Sequence, residues 1–234
     1  MSTSMSHAFR QGPTVLSLLG TLARSVICRG SVEAGTASPV TGQEFTAVVP
    51  PRHPGLVSDY IRHVGGDPRQ HRDVLPSYMF PQWGMPMLAR TLKHLHYDMR
   101  SILNGGFTFE VRAPIPAGEP LYLRSKLEEV DDDGRRAIFK ELLVTGTESS
   151  PEALVTRVVA ILPLKPAGKG ERREKPLVPQ DACEIARLKL PHDAGLDFGM
   201  LSGDLNPVHW STTYARMAGF KSTIMHGFSV AARR

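Results

Sequence analysis

The chain has 234 residues, 41% hydrophobic and 22% charged, a globular balance with room for one large domain or two small ones. A net charge of +5 suits an anionic ligand such as a phosphorylated carrier. Nucleic acid is disfavoured, because there is no zinc-finger spacing, no dense Lys/Arg stripe and no basic segment interleaved with aromatics. The two cysteines, Cys28 and Cys183, make neither a disulfide framework nor a C-x-x-C, which fits a reducing, cytoplasmic setting.

Residues 14–22 are apolar and follow Arg10, but Arg24 interrupts the run and no small-x-small cleavage site follows. Val15, Leu18, Leu19, Leu22 and Val26 fall at helical spacing, which predicts an amphipathic helix packed on the body. Nothing reaches the ~18 apolar residues of a membrane span. Residues 30–39 are small and polar and read as a linker. A short strand is expected over 44–49 and a helix over 56–64, stopped at Gly65-Gly66. Leu88, Leu92 and Leu95 share one face of a longer buried helix expected over 85–97.

The period then changes to two. Phe107, Phe109 and Val111 alternate with polar residues, as do Leu121, Leu123 and Leu127. Asp131 to Gly134 reads as a hairpin turn with its return strand over 137–144, and the run 153–162, apolar on both faces, suits a central strand. One buried helix followed by an antiparallel meander is an α+β layout. Residues 165–176 are charged and aperiodic, a linker between units. Beyond it a strand is expected over 185–190, with short helices over 196–201, over 212–217 and from 224 onward. Residues 60–67 faintly echo 197–204, and in each unit a strand precedes and a glycine-led helix follows, at Gly84 and Gly227. The division implied is an N-terminal helix and linker (1–42), a first unit (43–164), a linker (165–180) and a second unit (181–234).

The stretch carrying chemistry runs from Leu201 to Trp210 and again from Ile224 to Phe228. Pro207 stiffens the loop between Asp204 and His209, so that a carboxylate and an imidazole can share one cleft and hold a water molecule. Positioned acid–base groups contribute roughly 10²–10⁴-fold each. A proton moved beside a thioester carbonyl builds charge on its oxygen, and the Gly227 N–H, with no Cβ in the way, is placed to meet it. Structural roles stay open for the same residues: Asp204 and Asn206 as turn caps, Gly203 as a helix stop, His209 and His226 as structural histidines. The spacing of His209 and His226 matches no standard zinc pattern, and Ser202 lacks a Gly-x-Ser-x-Gly context.

Together these residues resemble the MaoC-like dehydratase family, which includes the (R)-specific enoyl-CoA hydratases. The pattern Ser-Gly-Asp-x-Asn-Pro-x-His, Ala-x-x-x-Gly-Phe, Ile-x-His-Gly stands here at residues 202–209, 215–220 and 224–227. The resemblance implies a hot-dog fold, a long helix wrapped by an antiparallel sheet, with a degenerate first copy. It implies reversible hydration of trans-2-enoyl-CoA to (R)-3-hydroxyacyl-CoA, with acyl-CoA or an acyl-carrier thioester as partner. Asp204 and His209 would act on water and Gly227 would hold the thioester oxygen. Ser202, Asn206, His226 and Phe228 would line the substrate site, Asn206 also shaping the loop. No metal or redox cofactor is expected. The family pattern continues with more helix and most of a sheet, whereas seven residues follow Gly227 here. The sequence therefore reads as a fragment of a longer protein, or as a chain whose second copy or partner completes the second hot dog. That reading predicts exposed apolar surface. A noncatalytic acyl-binding subunit and a hot-dog thioesterase are the competing functions.

Overall fold

The structure, a computed structural model, describes His7 and residues 41–165, 179, 181–184, 187 and 189–233. Its elements are β1 (Glu44–Val49), α1 (Pro54–His63), β2 (Val74–Leu75), α2 (Pro81–Leu92), β3 (Leu103–Val111), β4 (Ile115–Pro116), β5 (Leu121–Asp132), β6 (Arg136–Gly146), β7 (Leu154–Pro163), α3 (Ala194–Ser202), α4 (Thr212–Met217) and α5 (Gly227–Ala232). The expected 15–26 helix and most of the 165–180 linker lie outside the described residues.

Five strands form one antiparallel sheet in the order β1-β5-β6-β7-β3, and β2 pairs with β4 apart from it. Alternation decides which face is buried. Leu121, Leu123, Ser125 and Leu127 of β5 point inward, while Tyr122 and Arg124 point out. Ala137, Phe139, Glu141 and Leu143 continue that face on β6. The β5–β6 turn takes a left-handed residue at Gly134 (φ 72°), whose N–H donates to Asp132 Oδ1 at 2.8 Å. The expected central strand is β7, paired on both sides, by β6 and β3.

The sheet wraps α2, which buries Trp83, Met87, Leu88 and Leu92. Full burial of such side chains contributes roughly 1.5–3 kcal/mol each, and the Trp83 indole N–H is satisfied by Thr145 Oγ1 at 3.1 Å. A helix wrapped by an antiparallel sheet is the hot-dog arrangement. The helix starts at Pro81 and ends at Leu92, four residues earlier and five residues shorter at its far end than periodicity suggested. Pro81 supplies the pre-set first turn, and Leu95 turns off the helix into a second apolar cluster with Phe139 and Leu162.

The C-terminal elements pack on this unit. Phe198 of α3 meets Tyr60 of α1, ring centroids 5.5 Å apart. The faint internal echo has a structural counterpart. α1 and α3 both end at left-handed glycines, Gly65 and Gly203, and each is followed by an aspartate and a 3-10 turn, Pro68–His71 and Pro207–His209. Of the strand expected over 185–190, residues 187, 189 and 190 are irregular and the others lie outside the described residues. Among the described residues no strand follows β7 and no helix is long and apolar enough to cross a membrane. Met217 and Val230 stand 75% and 55% exposed.

Candidate active site

The site begins where α3 stops. Gly203 adopts φ 85° and hands the chain to a loop locked by successive side-chain bonds. Asp204 Oδ1 accepts from the Asn206 N–H and Asn206 Oδ1 accepts from the Val208 N–H, both at 3.2 Å. Pro207 then opens the 3-10 turn that ends on His209. The loop folds back across α3 because that helix lacks side chains at two points. A Cβ on Gly195 would stand 2.0 Å from the His209 carbonyl oxygen, and one on Gly199 would stand 2.9 Å from the Asp204 carbonyl oxygen.

The fold brings Asp204 and His209 together, with His226 as a third member. One donor atom from each lies within 4.8 Å of the other two. His209 Nδ1 faces the Ile224 carbonyl at 2.8 Å and must carry its proton there, which leaves Nε2 as the basic nitrogen. His226 Nε2 faces the Asp204 carbonyl at 2.9 Å and donates to it. The two imidazoles stack, centroids 3.6 Å apart and planes inclined by 25°. Burial drives His226 down to about 4, although the Asp204 carboxylate pulls it the other way. His226 is therefore neutral, and the 3.8 Å approach of its Nε2 to Asp204 Oδ2 is not an ion pair.

The donor set invites comparison with a metal centre, and the ring planes decide against His209 and His226 as co-ligands. An imidazole binds metal through a lone pair in its own plane at ~2.0–2.1 Å. Two stacked, nearly parallel rings have no shared point within that reach.

Gly227 opens α5, so its N–H has no intrahelical acceptor. Its bare Cα faces β3: a Cβ there would stand 3.1 Å from Asn104 Nδ2. Phe228 holds α5 in place against the first unit, meeting Phe80 edge-on at 5.3 Å and Phe107 at 5.2 Å. Of the residues expected to line the substrate site, Ser202 is fully buried and donates to the Phe198 carbonyl at 2.8 Å. His226 and Phe228 are buried too. Asn206 lies on a cavity of about 340 Å³ that Val208, Tyr214, Phe220, Ile102 and Leu103 also line.

Spacing alone missed Gly195, Gly199, Asn104 and the Ile224 carbonyl. The first two left a signal, two glycines one helical turn apart just upstream of the motif. The other two left none, since both act through positions that only the fold brings near.

Residues 174–233 match the family described as MaoC like domain. Over that segment the chain is similar to the MaoC-like domain family. It is 30% identical over 179 residues to 3-hydroxyacyl-thioester dehydratase Y of Mycobacterium tuberculosis, an alignment covering 69% of this chain and 59% of that protein. It is 24% identical over 165 residues to a probable enoyl-CoA hydratase 2 of Dictyostelium discoideum, covering 66% of this chain and 56% of the other. The chain thus spans somewhat over half the length of these relatives. Among solved structures it is similar to HtdX of Mycobacterium tuberculosis (TM-score 0.65, 17% identity, 81% of this chain and 73% of that one). It is also similar to a MaoC-like dehydratase from Phytophthora capsici (TM-score 0.61, 17% identity, 84% and 74%). At these identities the structural likeness concerns the fold, and Asp204, His209 and Gly227 lie within the segment 174–233 that matches the family model.

Proposed function

We propose that this chain is a hydro-lyase acting on acyl thioesters, adding water reversibly to a trans-2-enoyl-CoA or the matching acyl-carrier thioester to give the (R)-3-hydroxyacyl product. The observation carrying this reading is the tautomer of His209: with Nδ1–H committed to Ile224, Nε2 is left as the basic nitrogen of a ring that has one nitrogen within 4.8 Å of an Asp204 carboxylate oxygen. In hydration a water oxygen bonds to C3 while Asp204 and His209 between them take one proton from that water and return one to C2. The Gly227 N–H donates to the thioester oxygen as charge gathers there, a type of contact typically worth roughly 10²–10³ in rate. The cavity beside Asn206 receives part of the thioester, with Ile102 and Leu103 supplying a wall from the first unit. On this reading residues 43–164 are a noncatalytic hot dog and 181–234 hold the chemistry. The names of the two relatives, a 3-hydroxyacyl-thioester dehydratase and an enoyl-CoA hydratase, support the reaction class.

The test is incubation with crotonyl-CoA. Loss of the enoyl absorbance without thiol release is expected, and Asp204→Asn and His209→Ala should each lower turnover by at least ~10²-fold while leaving the fold intact. Thiol release would point to thioester hydrolysis instead, and binding without turnover to an acyl-binding subunit.

A further inference from the structure

His226 touches both members of the proposed acid–base pair without sharing their exposure. Its ring is 1% exposed. One face lies on the His209 ring at 3.6 Å, and the Phe198 ring packs on it at 4.9 Å, inclined by 52°. Its Nε2–H reaches back 22 residues to the Asp204 carbonyl oxygen. That bond fixes the tautomer, because a nitrogen facing a carbonyl must carry the proton. The remaining nitrogen, Nδ1, is buried with no hydrogen-bond partner. A second proton there would be a buried charge without an acceptor.

We infer that His226 is a positioning residue: a permanently neutral plate that sets the plane of the His209 ring and the height of the Asp204 backbone. This rests on the hydro-lyase reading for its catalytic consequence, but not for its structural content. The two functions of the ring are separable. Its flat face holds His209, and its one N–H holds Asp204. The neutral state matters because His209 gains a proton during the reaction, and a cationic neighbour at 3.6 Å would oppose that gain. The ionisable groups around His226 are the Asp204 carboxylate, His209 and, beyond Phe198, His63, which burial and the neighbouring Arg233 hold below its ordinary value. Burial outweighs the one carboxylate, consistent with a ring kept uncharged while its partner cycles.

Two measurements on the 234-residue chain test this. In wild-type protein, ¹⁵N imidazole shifts should show His226 as the Nε2–H tautomer, unprotonated at pH 6, and His209 as the Nδ1–H tautomer. A His226 that titrates in the ordinary range, or carries its proton on Nδ1, would overturn the inference even if the chain proved to have no hydratase activity. The second measurement is kinetic. His226→Phe keeps the flat face and removes the N–H, and His226→Gln keeps a donor and removes the face. Each should lower kcat on the order of 10²-fold, the typical penalty for a misplaced catalytic group, with KM changing far less. The pH–rate profile should shift in His226→Gln more than in His226→Phe, because only the former unstacks His209. Wild-type kcat and pH profile in both variants would sink the assignment. Loss of crotonyl-CoA turnover in the wild type itself would instead refute the functional reading and leave the NMR result standing.

Discussion

Gly195 carries no functional group, yet its missing Cβ decides where His209 can be. The added methyl of Gly195→Ala would stand 2.0 Å from the His209 carbonyl oxygen, where ordinary contact begins at 3.4 Å, and the obstacle is backbone. The 3-10 turn must therefore move. By helix propensity alone the substitution should gain about 1 kcal/mol, so a lower melting temperature would identify the clash as its cause. Turnover in the crotonyl-CoA assay should fall on the order of 10²-fold, as expected for an ångström-scale shift of a catalytic group. Gly199→Ala, whose clash is milder at 2.9 Å, should lose less. Near-normal turnover in Gly195→Ala would mean that the loop is not seated by this groove. The contrast with Asp204 and His209 shows what a sequence can disclose about a site. Those two are close along the chain, and Pro207 keeps the loop between them short and stiff, so spacing was enough to pair them. His226 joins them from 17 residues beyond His209, through ring stacking, which is a property of the folded loop and not of its letters.

At the level of elements, the interface between α2 and the sheet contains a carboxyl group where alternation calls for an apolar residue. Glu141 of β6 is 2% exposed, and burial raises it to about 8. It contacts Thr91 Oγ1 of α2, which also lies 2.8 Å from the Leu88 carbonyl. A hydroxyl has one hydrogen to give, so a proton on Glu141 allows both contacts to be hydrogen bonds. The sign of the pH effect follows. Between the ordinary value of 4.5 and about 8 the unfolded chain releases this proton while the folded one keeps it. Stability from this group is full below pH 4.5 and is lost progressively up to about pH 8. Glu141→Gln keeps the shape and removes the titration. Urea midpoints should therefore favour the variant by a few kcal/mol, order of magnitude, at pH 8, with the difference vanishing near pH 4.5. Parallel pH profiles for the two proteins would contradict a buried proton. The strands themselves were readable, since a period of two survives a single polar exception. The start of α2 was not, because Pro86 resembles a first-turn proline as much as Pro81 does, and only packing of Trp83 under the sheet separates them.

The whole molecule is bound by contacts between parts that the sequence separates with a charged linker. One apolar cluster contains Leu56, Tyr60 and Ile61 of α1, Trp83 and Met87 of α2, and Leu121 and Leu143 of the sheet. It also contains Phe198 and Leu201 of α3 and Phe228 and Ala232 of α5. The composition break over 165–176 reads as a linker between two units. The aromatic positions that join them could not be paired by pattern, since Phe80, Phe107 and Phe228 lie far apart in sequence and at no common period. If the cluster is one core, the site cannot melt before the sheet does. The chain's two tryptophans allow a direct check. Trp83 is buried under the sheet, and Trp210 sits on the site loop, its indole N–H donating to the Leu205 carbonyl at 3.1 Å. Trp210→Phe leaves fluorescence to report on the sheet alone, and Trp83→Phe leaves it to report on the loop. Because Trp83 is part of the core, Trp83→Phe will itself be less stable, so each variant is compared with its own far-ultraviolet transition. Coincidence of the two signals in urea, for both variants, is expected of a single cooperative unit. A Trp210 transition that precedes the loss of secondary structure would show that α3 to α5 come away first, and that the site loop draws no stability from the sheet it rests on.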